Sequence, residues 1–429
     1  MSAPLSADVR IGRAALRVAL DQAPPSDLQA LLNTCGPRCR PDRFVAWCRY
    51  QGIVPSVHRV LAATDHPLAQ RLHAHLAPHA QAIAGASLLQ ANALRAILEH
   101  LHTRGVDVLP LKGVGLDVRC YGGPGRRKDG DHDLLVRREQ LPEAVRAVQD
   151  MGYRMAEDAP PPARWEADIA IHHGPPLVKH AGAMPSWIEF HWDVAPSTEG
   201  LALGDPAALT NALWNRSRAD TLLGVPVRQM RAEDEVFYLC LHAIRHFSWH
   251  GAGLSVRLAM LEDIARCAAA RGPIDWQAVA QRARSIPHTH LLGPIRYLWT
   301  QGLGASPGGL LPDAVVDGPW PRWWGRRILS ARVLLGDASV PGWDGAPGRL
   351  HAEKSHRILM HSLLLRRVRD RVGLLWREGA GAFFQVNEND RQHVPDLVPD
   401  ALVVPLRWVR LGRKVFRQQV LRQQKEPHE

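Results

Sequence analysis

Long hydrophobic runs are missing from this chain. Its longer apolar stretches, such as residues 401–406, fall far short of the ~20 residues that a membrane-spanning helix requires. Residues 1–22 hold no continuous apolar core behind a basic start, so no secretory leader is expected and the expected location is the cytoplasm. Cysteine is scarce as well, with six in 429 residues. Cys35, Cys39 and Cys48 come nearest to a zinc spacing, but no fourth ligand stands at a familiar distance; reduced, mostly buried thiols are expected. Most of the chain also lacks an excess of either charge. Of the net charge of +11, residues 321–429 carry 20 Lys+Arg against 11 Asp+Glu, and the remainder carries 33 against 31. Attraction to nucleic acid or to an anionic membrane surface is therefore expected only in the last third. The rest shows no interleaving of aromatic and basic residues of the kind that stacks single-stranded RNA.

What is present is an ordinary globular composition, 46% hydrophobic and 22% charged, in a chain long enough for more than one domain. Residues 42–62 give two apolar-periodic helical segments broken at Gly52 and Pro55. Residues 86–102 read as a helix, with Leu94, Ile97, Leu98 and Leu101 spaced for one face, and Gly105 stops it. A strand at 106–111 follows, then a central stretch, then a helix over 139–151. Short strands are expected at 169–173, 176–179, 186–194 and 225–230, and one or two helices over 232–271. This order predicts an α+β protein: a small mixed-sheet core at 85–231, an N-terminal helical region at 1–84 with a packing or lid role, a helical region at 232–310, and a basic, Arg/Trp-rich region at 311–429. Within the last, 356–376 and 404–424 read as basic amphipathic helices, suited either to an anionic partner or to a solvated face.

The chemistry concentrates in residues 109–136. A buried strand ends in Lys112-Gly113, a loop rich in glycine and arginine follows, and Asp131-His132-Asp133 runs into Leu134-Leu135-Val136. Two aspartates two positions apart on a strand project to one face. Like charges so close resist joint ionisation unless a cation lies between them, and carboxylate oxygens suit Mg2+. Two solvated aspartates at a strand start would satisfy the same pattern. In residues 186–194, Ile188, Phe190, Trp192 and Val194 alternate with Glu189, His191 and Asp193. Glu189 in mid-strand suits either a metal shared with the aspartates or a solvated edge. His242 and His246, four apart on a helix, share a face and fit a pocket wall better than zinc. Arg245, Arg257 and Asp263 are further polar residues on these helices.

Leu111-Lys112-Gly113, Tyr121, Arg127, Asp131-x-Asp133-Leu134-Leu135-Val136 and Glu189-Phe190-His191-Trp192, with the helix carrying His242 and His246, resemble the uncharacterised nucleotidyltransferase family of the DNA-polymerase-β-like superfamily. The resemblance covers roughly the first 300 residues. It implies that Gly113 is the glycine turn, that Asp131 and Asp133 are the metal pair, and that Glu189 is the third carboxylate. In such proteins the aspartates hold the Mg2+ that grips nucleotide phosphates, and the third acid activates the acceptor hydroxyl; Asp193 is the alternative for that role. Lys112 and Arg127 are expected to neutralise phosphate charge. The chain departs from the pattern at Val114, where serine is usual, and at His132, where an apolar residue is usual. Eighteen positions separate Gly113 from Asp131, more than in minimal members of the superfamily.

These readings predict a Mg2+-dependent nucleotidyltransferase that moves an NMP from an NTP, such as ATP, to a hydroxyl or phosphate of an acceptor. A small molecule, peptide or protein acceptor fits better than tRNA, and a tailoring role in natural-product or polysaccharide synthesis is implied by the resemblance. The competing reading is a non-catalytic nucleotide-binding or regulatory module that docks through its basic tail.

Overall fold

The computed structural model describes residues 5–128, 130–155, 174, 176–181, 184–194, 205–246, 249–250, 253–254, 257–286, 290–304, 311–312, 369 and 372. The expected strand at 169–173 and nearly all of the basic region lie outside these. The chain divides into two compact units, Met1–Arg367 and Val368–Glu429, and every element below belongs to the first.

Four short helices open the chain: α1 (Ala7–Ala19), α2 (Pro25–Cys35), α3 (Pro41–Gln51) and α4 (Val54–Ala62). The expected break at Gly52 is real: its φ of 73° closes α3 in the left-handed region, where glycine carries no Cβ penalty. Pro55 does not break a helix but stands in the first turn of α4, where a missing N–H costs nothing.

The helix expected over 86–102 is the second half of a much longer one, α5 (Pro67–Thr103), 37 residues with Pro78 inside it. The expected boundary at 84/85 therefore falls within a continuous helix. Its first half buries Leu68, Leu72 and Leu76 in the N-terminal helical core. Its second half buries Leu94, Ile97, Leu98 and Leu101 against the sheet, each contributing roughly 1.5–3 kcal/mol by leaving water. One helix thus ties the two cores together, and no linker lies between them.

Next come β1 (Val108–Pro110), α6 (Val114–Cys120), β2 (His132–Val136), α7 (Leu141–Asp150), β3 (Arg154–Met155), β4 (Leu177–Ala181) and β5 (Met184–His191). The sheet runs β1-β2-β5-β4-β3. Only β2 and β5 pair in parallel; the other pairs are antiparallel. α8 (Pro206–Arg216) and the hairpin β6 (Arg218–Leu222)–β7 (Val225–Gln229) follow, then α9 (Ala232–Arg245), α10 (Leu258–Ala270), α11 (Trp276–Arg284) and α12 (Leu292–Leu303). The architecture is α+β, a mixed five-stranded sheet with helices before and after it. Among the described residues no helix is long and apolar enough to cross a membrane.

Strand alternation sends the two faces of the sheet to different cores. Val108, Leu134, Val136, Ile188 and Phe190 pack with α5 and α7. Leu109 and Leu135 join the helical core that includes α9 and α10. Asp133 has the parity of Leu135, so the acidic residues lie on the face that looks toward α9.

Candidate active site

β1 delivers Lys112 and then turns sharply at Gly113, whose φ is 69°. A Cβ at Gly113 would lie 3.0 Å from the Asp131 carbonyl oxygen, so the turn fits closely against the start of β2 and only glycine fits there. The glycine-rich loop after α6 is pinned from below. The Gly125 N–H donates to Asp117 Oδ2 at 2.7 Å and to Ser87 Oγ at 2.9 Å. Gly125 has φ 88° and already lies 3.0 Å from the α5 backbone at Ala84 by its missing Cβ.

β2 and β5 are in register, Asp133 opposite Glu189 and Leu135 opposite His191. Asp133, Glu189 and His191 each offer a ligand atom, and these atoms lie within 4.8 Å of one another. His191 Nε2 is 3.0 Å from Asp133 Oδ1 and 3.8 Å from Glu189 Oε2. Lys112 Nζ stands 2.8 Å from Asp133 Oδ2 and 3.5 Å from Asp131 Oδ1. The two aspartates differ in environment: the Asp133 side chain is 2% exposed and that of Asp131 38%. The converging group is thus Asp133, Glu189 and His191, with Asp131 joined to it through Lys112. Asp193 lies beyond the end of β5, where Thr210 and Arg138 surround it and burial raises its carboxyl.

Burial alone would raise the Asp133 carboxyl, but Lys112 and His191 hold it well below the usual carboxylate range. Burial opposes the Lys112 charge, and Asp133 and Asp131 outweigh it and raise the ammonium above its ordinary value. Lys112 thus acts as an internal counter-ion to an acidic cluster. Asp133 Oδ2 makes no well-directed hydrogen bond even so, and carboxylates on adjacent strands are a hard donor set suited to a small divalent cation. Lys112→Met should leave the buried Asp133 charge without this partner and lower unfolding free energy by about 3 kcal/mol. Millimolar Mg2+ should restore most of it by binding the folded chain. Denaturant unfolding with and without Mg2+ checks this, and a variant that millimolar Mg2+ does not stabilise would refute the cation site.

His132 faces the other way and is 3% exposed, with neither ring nitrogen hydrogen-bonded. Burial lowers its pKa to about 4, against the pull of Asp131 and Asp133. The unfolded imidazole titrates near ~6.5, so between those values the unfolded chain binds the extra proton and stability falls with falling pH. In metal-free buffer, the His132→Leu variant should gain on the parent chain by about 3 kcal/mol as pH drops from 6.5 to 4. Parallel stability curves across that range would show that the buried ring is protonated.

Arg127 lines the cavity next to Lys112, but its guanidinium is already clamped. Its Nε and Nη2 donate to Asp263 at 2.7 and 2.9 Å, and its Nη1 to the Lys128 carbonyl at 3.2 Å. Tyr121 donates to the same Asp263 carboxylate at 2.6 Å. Tyr121, Arg127 and Asp263, far apart in the chain, thus fasten the loop to α10. His242 and His246 line the cavity, their rings 4.6 Å apart edge to face. Burial, then Lys112 and His246, push the His242 pKa well down.

The N-terminal helical region, expected to have a packing or lid role, contributes Tyr50 and Gly52 to the same cavity wall. The Leu258 N–H donates to Gln51 Oε1 at 2.9 Å, and Ser56 Oγ bonds the buried Glu262. The signal available beforehand was the break at Gly52 and Pro55, which sets a turn beside these residues. All six cysteines are free and buried. Cys35, Cys39 and Cys48 form no metal-ligating group among the described residues; Cys120, Cys267 and Glu235 do converge, but Arg119 and Arg271 already hold Glu235.

The family model described as uncharacterised nucleotidyltransferase matches residues 37–304, more than half of the chain. No curated protein matches. Among solved structures, the solution structure of the antibiotic-resistance factor ANT(2'')-Ia is similar at 16% identity, covering 47% of this chain and 90% of that one, with a TM-score of 0.28. The matched span holds the glycine turn, the acidic cluster and every described wall of the cavity, and by it this chain belongs to the uncharacterised nucleotidyltransferase family.

Proposed function

We propose that the chain moves an NMP from an NTP, with ATP one candidate, to a hydroxyl or phosphate of a small-molecule, peptide or protein acceptor, in a Mg2+-dependent reaction that suits a natural-product or polysaccharide tailoring enzyme. The observation that carries this reading is the parallel register that sets Asp133 beside Glu189, with Lys112 drawn against both aspartates. Asp133, Asp131 and Glu189 would hold Mg2+, which when bound supplies positive charge to the phosphate oxygens.

The chain's own groups divide the remaining tasks. Displacement at phosphorus demands positioning and charge neutralisation more than covalent chemistry. Lys112 carries a fixed positive charge at the junction of acids and cavity and would turn it to phosphate oxygens. His191 fixes the Asp133 carboxylate by its hydrogen bond. Gly113 lets the backbone approach closely, and Arg127 holds the loop in place and adds charge to the wall. Glu189, the least buried of the three converging groups at 26%, would accept the proton of the attacking hydroxyl on a carboxylate oxygen. The acceptor oxygen then bonds to the α-phosphorus, the bond from that phosphorus to the bridging oxygen breaks, and pyrophosphate leaves with the electron pair.

The test is incubation of the full chain with each NTP, labelled at the α-phosphate, plus Mg2+ and a cell extract, scoring pyrophosphate release and label transfer together. Stoichiometric pyrophosphate and labelled acceptor are expected. NTP binding with no pyrophosphate across all four nucleotides and a broad acceptor set would replace this reading with a binding module.

A further inference from the structure

The cavity beside Lys112, about 400 Å³, is lined by Lys112, Arg127, Lys128 and Arg257, by the two histidines and by one described acid, Asp263. The charges on that wall are unevenly matched. Lys112 is balanced by Asp133 and Asp131, and Arg127 by Asp263. Among the described residues no carboxylate pairs with Lys128 or with Arg257, whose guanidinium lies 5.4 Å over the Tyr50 ring. Partial burial, Arg257 and the nearby Arg49 all weaken the Lys128 charge, the signature of cations crowded together without an anion. Holding them there opposes folding, and it is rational where a ligand brings the missing negative charge.

We propose that this cavity seats the polyphosphate tail of the nucleotide, gripped by Lys128 from the loop and Arg257 from the head of α10. The volume lies in the range of small-ligand pockets, ~300–1,000 Å³. A polyanion matches two uncompensated cations plus the shared charge of Lys112, whereas a single carboxylate does not. Arg257 brings the planar fork that binds phosphate oxygens in pairs. The assignment explains why residues outside the sheet, from the N-terminal helices and from α10, close around Lys112. It rests on the reading that an NTP is the substrate, and it moves the main phosphate-binding role from Arg127, already clamped to Asp263, to its neighbour Lys128 and to Arg257.

Calorimetric titration of the full chain with inorganic tripolyphosphate, without divalent metal, tests it. The parent chain should bind, Lys128→Gln and Arg257→Gln should each weaken binding at least tenfold, and citrate should bind at least tenfold more weakly than tripolyphosphate. Lys128 is exposed, so its variant folds even if Arg257→Gln, at the start of α10, does not. No binding, unchanged affinity in Lys128→Gln, or equal affinity for citrate would overturn the proposal. Tripolyphosphate binding that depends on Lys128, in a protein that releases no pyrophosphate from any NTP, would support the cavity and refute nucleotidyl transfer. Pyrophosphate release unaffected by Lys128→Gln, with tripolyphosphate binding equally unaffected, would do the reverse.

Discussion

Exchanging Asp133 for asparagine should abolish the Mg2+-dependent part of NTP affinity and cut nucleotidyl transfer by roughly a thousandfold or more. A metal held on phosphate oxygens contributes several kcal/mol, and about 4 kcal/mol corresponds to ~10³ in rate. Asparagine keeps the size of the side chain and a hydrogen-bonding oxygen for His191, so the sheet should stay intact. Lys112 keeps Asp131 as a partner, at 3.5 Å. The same exchange at Asp131 should cost less, because that carboxylate is 38% exposed and stands outside the converging group of Asp133, Glu189 and His191. Titrations of NTP with and without Mg2+, on both variants and with melting curves alongside, check the order. A full Mg2+ response in Asp133→Asn would remove the metal from this site.

Glu189→Gln should separate binding from chemistry. The amide cannot take a proton from the attacking hydroxyl, so transfer should fall by about 10²–10⁴, the usual contribution of a general base. NTP affinity should change by less than about threefold, since Asp133 and Lys112 remain. A time course of pyrophosphate release at saturating NTP reads the first quantity, and direct titration reads the second. Equal losses in both would make Glu189 a metal ligand without a proton-transfer role. An unimpaired rate would dismiss it from the reaction.

Local pattern was enough for most strands of the sheet, though not for β3, and for the strand positions of Asp133 and Glu189. Period-two alternation in residues 186–194 separates Ile188 and Phe190 from Glu189 and His191, and the sheet buries the first pair on the α5 side. The stop at Gly52 and the helix carrying His242 were legible for the same reason, since turn chemistry and helical spacing are short-range properties. The extent of α5 was not. Leu68, Leu72 and Leu76 do repeat at helical spacing, but they pack on the N-terminal core while Leu94, Ile97 and Leu98 pack against the sheet, and that one helix serves both cores is a matter of tertiary packing rather than of local pattern.

The residue types of the site were also legible, and their partnerships were not. The sequence by itself determined the α+β class, the glycine turn at Gly113, the strand-borne acids and the pairing of two histidines on one helix face, because each follows from periodicities shorter than one element. Only the tertiary structure decided that His191 joins Asp133 and Glu189, that Lys112 is their counter-ion, that Arg127 is clamped by Asp263, and that Tyr50 and Arg257 share a wall with Lys128. Those pairings span up to about two hundred residues of chain. They depend on strand register and helix docking, which the burial of apolar surface sets for the whole domain at once.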